Sequence, residues 1–221
     1  SLLGPSGCGK SSLLRLIAGL VDPTGGELSI DHQPAGLFRR TNHGVSLVFQ
    51  EPRLLPWRNV RRNIALPLEL SKVPPADRQA LVDASLKLIG LRPEDAAKYP
   101  RMLSGGMRMR VALARALVTQ PSVLLLDEPF AALDDLLRQQ LNEELLRMWS
   151  ERTPTTIFVT HNISEAIFLS QRVVIMTSHP GRIRATIEVP FEYPRSHLLR
   201  ASSEFAKLVG QVGDLLRVET P

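Results

Sequence analysis

The chain has 221 residues, 27 basic against 22 acidic, for a formal charge of +5 and a pI near 9.9. That length suits one large or two small domains with a sizeable core, and no apolar run approaches the roughly 18 residues of a membrane span. The arginines are scattered and aromatics are few, which speaks against a nucleic-acid surface; the one cysteine, Cys8, excludes an internal disulfide and fits a reducing compartment.

The opening stretch, SLLGPSGCGKSSLLRL, fits G-x-x-x-x-G-K-[ST] at Gly4, Gly9, Lys10 and Ser11. In such a loop successive backbone N–H groups turn inward around a phosphate, and a side chain at Gly7 or Gly9 is expected to block that approach. Pro5, Ser6 and Cys8 complete the loop. Lys10 supplies a point charge to the β- and γ-phosphates, and the Ser11 hydroxyl is placed for Mg²⁺. Leu13, Leu14, Leu16 and Ile17 then follow helical spacing, so the loop runs into a helix N-terminus, itself an anion site. A glycine-rich turn that merely precedes a helix is the plainer alternative. Strands usually run about five or six residues, and only Ser1, Leu2 and Leu3 stand before the loop, so further N-terminal strands are expected upstream. Cys8 lies at the helix head beside Lys10, where a thiolate is favoured; thiol reagents are expected to block nucleotide binding through it.

Farther on, GGELSIDHQP alternates Leu28 and Ile30 with polar neighbours, as a half-solvated antiparallel strand does. GVSLVFQ is a short β-rich run ending in Gln50. From 51 to about 107 prolines break the chain into short pieces around one clear helix, Ala76–Ile89, with Leu81, Ala84 and Leu88 on one face. This reads as a helical subdomain inserted between sheet strands. GGMRMRVALARALVTQ is a helix stopped by Pro121, and SVLLLDEP a nearly continuous apolar strand, as expected when both faces are buried. A helix over Leu136–Trp149, strand TTIFVTH, helix SEAIFLS and strand RVVIMT follow. GRIRATIEV carries Ile183, Ala185, Ile187 and Val189 on one face as an antiparallel edge strand, and the tail from about 195 to 221 is helical and amphipathic. The alternation of strand and helix makes a parallel α/β sheet the economical architecture for a single domain over 1–221.

A phosphate loop alone names no function. Just ahead of VLLLDEP, however, Leu103-Ser104-Gly105-Gly106 resembles the LSGG signature of ATP-binding cassette (ABC) ATPases. A second glycine pair at a helix start again presents N–H groups and a positive dipole end to an anion. In that family a head-to-tail dimer explains the duplication, because each signature covers the γ-phosphate held by the partner's loop. The other motifs fall in order. Asp127 resembles the aspartate that holds Mg²⁺, and Glu128 the carboxylate that polarises the attacking water. FAALDD resembles the D-loop, with Asp134 as its aspartate. Gln50 resembles the residue that reaches Mg²⁺ and the lytic water, His161 the switch histidine on the γ-phosphate, and Ser12 a contact to the α-phosphate. Met107 and Met109 depart from the family's usual glutamines, so altered signature contacts with retained hydrolysis are expected. The family's adenine-stacking aromatic, upstream of the loop, has no counterpart here, so weak nucleotide binding by this chain alone is expected.

The resemblance implies a P-loop NTPase of ABC type that binds ATP and Mg²⁺ and couples dimer closure to work. FQEPRLLPWRNVRRNIALPLE, TSHPGRI and VPFEYPR resemble the nitrate, sulfonate, taurine and bicarbonate importers in particular. The implied partners are a second ATPase subunit, a membrane permease and, indirectly, a substrate-binding protein. The implied location is peripheral, on the cytoplasmic face of a bacterial membrane. Leu54, Leu55 and Trp57 are expected to form an apolar socket for the permease, with Arg53, Arg58, Arg61 and Arg62 facing an acidic partner. A soluble ABC ATPase acting on nucleic acid or ribosomes, and a non-hydrolysing binding module, are the alternatives from other classes.

Overall fold

Leu2 and Leu3 form β1, both buried, and the chain passes from them through the glycine loop into α1 (Lys10–Ala18). The computed structural model describes residues 1–39, 44–152, 154–178 and 180–217, without the side chains of 151 and 152. Helix α1 ends at Gly19, whose φ of 74° lets its N–H reach back to the carbonyls of Arg15 and Leu16. Arg39 donates to the carbonyls of Leu16 and Ile17 at 2.7 and 2.9 Å, so the last turn of α1 has its acceptors satisfied.

The expected solvated strand after α1 is reduced to a small hairpin, β2 (Ser29–Ile30) against β3 (Gln33–Pro34). Pro34 has no N–H to extend the ladder, and the chain turns at once into α2 (Ala35–Phe38). Next come β4 (Val45–Val48), α3 (Val60–Leu70), α4 (Pro75–Leu88) and α5 (Gly105–Leu117). Then follow β5 (Val123–Asp127), α6 (Asp135–Arg152), β6 (Thr155–Val159), α7 (Ile163–Leu169), β7 (Arg172–Thr177), β8 (Arg182–Glu188) and α8 (Ser203–Arg217). The main sheet has the order β4-β5-β6-β1-β7-β8, with the first five strands parallel and β8 antiparallel to β7. The parallel α/β expectation holds.

Strand β5 explains its unbroken apolar run. Leu124 and Leu126 enter the core shared with α3, α4 and α5, while Val123 and Leu125 face the core beneath α1. Strand β8 differs from expectation. Ala185 pairs with Ile175 but Ile183 pairs with Met176, so a bulge at this point puts Ile183 on the opposite face, where it is 68% exposed. Helix α5 stops at Leu117 rather than at Pro121, because Gln120 has already turned to φ 52°. Helix α6 begins at Asp135, with Asp134 accepting from the Leu137 N–H at 3.0 Å as its cap.

The helical subdomain holds two helices ahead of the signature rather than one. In α3, Val60, Ile64 and Leu68 fill the core at helical spacing, and Pro67 sits in the last turn. In α4 the buried stripe is Val82, Ser85, Leu86 and Leu88, with Leu81 half-buried against the same core, whereas Ala84 is exposed. Ser85 belongs to the stripe because its hydroxyl donates to the Leu81 carbonyl at 2.8 Å and needs no water. In the tail, α8 lays Phe205, Leu208 and Val212 on the core that contains α7; residues 218–221 of the expected tail lie outside those described. No helix among the described residues is long and apolar enough to cross a membrane.

One residue ties the long loop after β4 to this subdomain. Asn63, fully buried in α3, accepts from the Leu55 N–H at 2.8 Å and donates to the carbonyls of Leu55, Arg58 and Asn59. Asn63→Leu fits the volume and leaves those backbone groups unpaired, so it is expected to cost about 2–4 kcal/mol of stability. Urea unfolding of both proteins checks this; a loss below about 0.5 kcal/mol rejects the anchoring role.

Candidate active site

The phosphate loop leaves the C-terminal end of β1, between β6 and β7. Gly7 and Gly9 adopt φ of 81° and 103°, a region an L side chain enters only with strain. The space above both glycines is open, so the backbone angle, rather than crowding, demands glycine there. At Gly4 the reason is contact: a Cβ would lie 2.7 Å from the Met176 carbonyl and 2.8 Å from Cys8 Sγ. Sequence reasoning missed a second close approach. A Cβ on Gly181, in the turn between β7 and β8, would lie 2.4 Å from the Cys8 carbonyl, so this turn backs the loop. Cys8 is itself buried, which sets its thiol apart from the solvent-facing loop residues Pro5, Ser6 and Gly7.

Lys10 is only 6% exposed, and its ammonium donates to the carbonyls of Gly4 and Pro5 at 2.8 and 3.0 Å. The cation is thereby held against the backbone of the loop itself. Ser11 donates its hydroxyl to Asp127 Oδ1 at 2.8 Å, across 116 residues of sequence. A hydroxyl and a carboxylate oxygen meeting at a phosphate loop are the hard donors that Mg²⁺ takes together with substrate phosphates. The pair therefore fits Mg²⁺, and Ser12 follows on the exposed first turn of α1.

Asp127 ends β5 in register with Val159 at the end of β6, so Glu128 and His161 emerge side by side from adjacent strands. The Glu128 N–H donates to the Val159 carbonyl at 3.0 Å, and its backbone is bent to φ 47°. A non-glycine residue in this region costs about 1–3 kcal/mol, and the bend aims the carboxylate along the strand ends. Glu128 Oε2 lies 3.0 Å from His161 Nδ1. The predicted base and the predicted switch histidine thus share one contact.

The other expected site residues stand apart. Gln50 is exposed two residues beyond β4, with no side-chain hydrogen bond among the described residues. Its loop is fixed from behind by Arg115 of α5, which donates to the carbonyls of Pro52 and Arg53 at 2.8 and 2.9 Å; sequence reasoning missed this tie. Leu103 is buried, and Ser104 caps α5 by accepting from the Met107 N–H at 3.2 Å. Gly105 and Gly106 form the first turn, with Gly106 close against Leu137. Leu103–Gly106 have no hydrogen bond to the phosphate loop among the described residues. Met109 is core and Met107 flanks it, which accounts for apolar side chains there. Asp134 is exposed at its helix cap.

The expected permease surface is corrected in part. Trp57 is 70% exposed, but Leu54 packs against the subdomain core. Arg58 and Arg61 already have acidic partners in this chain, Glu69 at 2.6 Å and Asp83 at 2.7 Å. Arg53 lies over the Phe49 ring at 4.3 Å.

Residues 1–131, from the phosphate loop through the Asp127-Glu128 pair, match the ABC transporter family. The chain belongs to that family. It is an ABC ATP-binding subunit, and cassettes of this kind are ATPases coupled to transport. An uncharacterized ABC transporter ATP-binding protein of Methanocaldococcus jannaschii is 42% identical over 99% of this chain and 79% of its own length. A nitrate import ATP-binding protein of Synechococcus elongatus is 45% identical over 88% of this chain and 70% of its own. An aliphatic sulfonates import ATP-binding protein of Bacillus cereus is 44% identical over 96% and 81%. Among solved structures, a dimeric ATP-binding cassette in a post-hydrolysis state with ADP and Pi superposes with a TM-score of 0.74 at 30% identity, covering 86% of this chain and 85% of that one. The structure of cbiO1 from Clostridium perfringens, part of the ABC transporter complex cbiONQ, superposes at a TM-score of 0.77 with 28% identity, covering 98% of this chain and 86% of that one.

Proposed function

We propose that this ABC subunit powers uptake of a small anion, such as nitrate, a sulfonate or taurine, by closing on a second copy around ATP. The observation that carries the importer reading is the near-complete alignment with the sulfonate importer subunit, 44% identical over 96% of the chain. The dimeric solved cassette supports the pairing. Lys10 and the amides of Gly7, Gly9 and Ser11 would hold the terminal phosphates, while Ser11 and Asp127, with Gln50, would hold Mg²⁺, which would supply charge neutralisation there. Glu128 accepts a proton from the attacking water as its oxygen bonds to the γ-phosphorus, and ADP departs. His161 donates to the γ-phosphate and keeps Glu128 oriented. Leu103–Gly106 and Asp134 act across the pair, toward the partner's nucleotide. Catalysis of this kind is positioning and charge stabilisation.

The permease docks around Trp57, with Arg53 and Arg62 as the cations left to meet it, and holds the subunit at the cytoplasmic membrane face. The substrate-binding protein meets the permease and not this chain. The test is a pull-down from detergent-solubilised membranes with the full-length protein as bait. Recovery of a multi-span permease, lost with Trp57→Ala, supports the importer. A bait bound instead to ribosomes or nucleic acid in the soluble fraction favours the soluble ATPase.

A further inference from the structure

His161 has a 59% exposed side chain, and its one described contact is Glu128. Packing does not hold such an imidazole; its backbone must. Both neighbours of His161 are tied into one buried network. The Thr160 hydroxyl donates to the Glu165 carboxylate and accepts from the Asn162 N–H at 3.0 Å. The Asn162 side chain accepts from the Glu165 N–H at 3.0 Å and caps α7. With its amide oriented to satisfy both neighbours, Asn142 of α6 donates to the other Glu165 oxygen at 3.1 Å and accepts from Arg200 at 3.2 Å. Thr160, Glu165 and Asn142 are all buried. Arg200 belongs to the short 3₁₀ turn His197–Ala201 of the C-terminal segment, and lies 3.6 Å over the Phe168 ring. From the same segment Arg195 donates to the carbonyls of Ile167, Phe168 and Ser170, closing the other end of α7.

Burying a carboxylate is costly unless each oxygen is satisfied. Burial does push the Glu165 carboxyl above its ordinary range, against the pull of Thr160, Arg138, Asn142 and His161. Leucine at 165 would fill a helix-to-sheet core without that cost. What the carboxylate adds is a hold on residue 160 through its hydroxyl, beside the Asn162 cap to which the Glu165 N–H donates, so that both positions flanking His161 are fixed.

We propose that Thr160, Glu165 and Arg200 are positioning residues for His161, a hydrogen-bonded relay by which the docked C-terminal segment sets the rate of hydrolysis. The relay rests on the assignment of His161 to the γ-phosphate. The test is steady-state ATPase kinetics of the full-length protein with His161→Ala, Thr160→Val, Thr160→Ser and Arg200→Met, each checked for folding by thermal melting. Thr160→Val is expected to lower kcat about tenfold or more with KM for ATP within about twofold, and Thr160→Ser to restore it within about threefold. Arg200→Met loses the bond to Asn142 together with the guanidinium over the Phe168 ring, and is expected to lower kcat about three- to tenfold at unchanged KM. Folded Thr160→Val and Arg200→Met proteins at wild-type kcat, beside a slow His161→Ala, overturn the relay alone. His161→Ala at the wild-type rate removes the histidine's role and the relay's target together. If Thr160→Val does not fold, Arg200→Met decides.

Discussion

Glu128→Gln is expected to lower ATP hydrolysis by about 10²–10⁴-fold and to leave MgATP affinity within about threefold. The side chains match in size, and Gln keeps an oxygen for His161 at the 3.0 Å separation seen with Glu128. The strained backbone at φ 47° and the N–H bond to Val159 are also retained, so the change removes a proton acceptor and little else. With hydrolysis blocked, the ATP-bound pair persists, and gel filtration is expected to show an ATP-dependent dimer. Phosphate release in a single turnover gives the rate. A rate within about threefold of wild type removes Glu128 from the catalytic role.

Lys10→Ala is expected to abolish the stabilisation that MgATP confers. The ammonium is buried and shared between the carbonyls of Gly4 and Pro5, so it is already desolvated and aimed before nucleotide arrives. Hydrogen bonds to charged groups contribute about 1.5–3 kcal/mol each, so loss of this cation weakens nucleotide binding by about 10²-fold. A ligand that binds only the folded state raises the melting temperature by mass action; the wild-type shift at millimolar MgATP is expected to vanish in the variant. Lys10→Arg does not restore it, because a planar fork does not fit a seat built for a point charge between two carbonyls. An undiminished shift in Lys10→Ala rejects the assignment.

Much of this architecture is legible in the residues because local and global signals agree. Val123–Leu126 is apolar at every position, and both faces of β5 are covered. Gly7, Gly9 and Lys10 stand at spacings that one backbone shape requires. What escaped sequence reasoning depends on partners distant in sequence. Arg58 and Arg61 read as free cations because Glu69 and Asp83 come alongside only when α3 and α4 fold. Ser85 and Asn63 drew no attention in the sequence, yet each is buried with its hydrogen bonds satisfied by nearby carbonyls and N–H groups. Gly181 and Arg115 support the phosphate loop and the Gln50 loop through backbone contacts that no periodicity announces. The bulge in β8 moved Ile183 off its expected face for the same reason.

The place of β1 between β6 and β7 has a consequence for synthesis. Leu2 pairs with Val159 and Val174, and Leu3 with Ile175, so β1 is made well before both of the strands that flank it. Contacts so far apart in sequence close late. Until β6 and β7 emerge, the phosphate loop lacks the Met176 and Gly181 backing, and Leu2, Leu3 and Leu14 are uncovered. Before that point the loop is not expected to hold nucleotide, and the uncovered apolar residues are open to aggregation. Nucleotide is expected to stabilise this subunit only once β7 and the turn at Gly181 have been made.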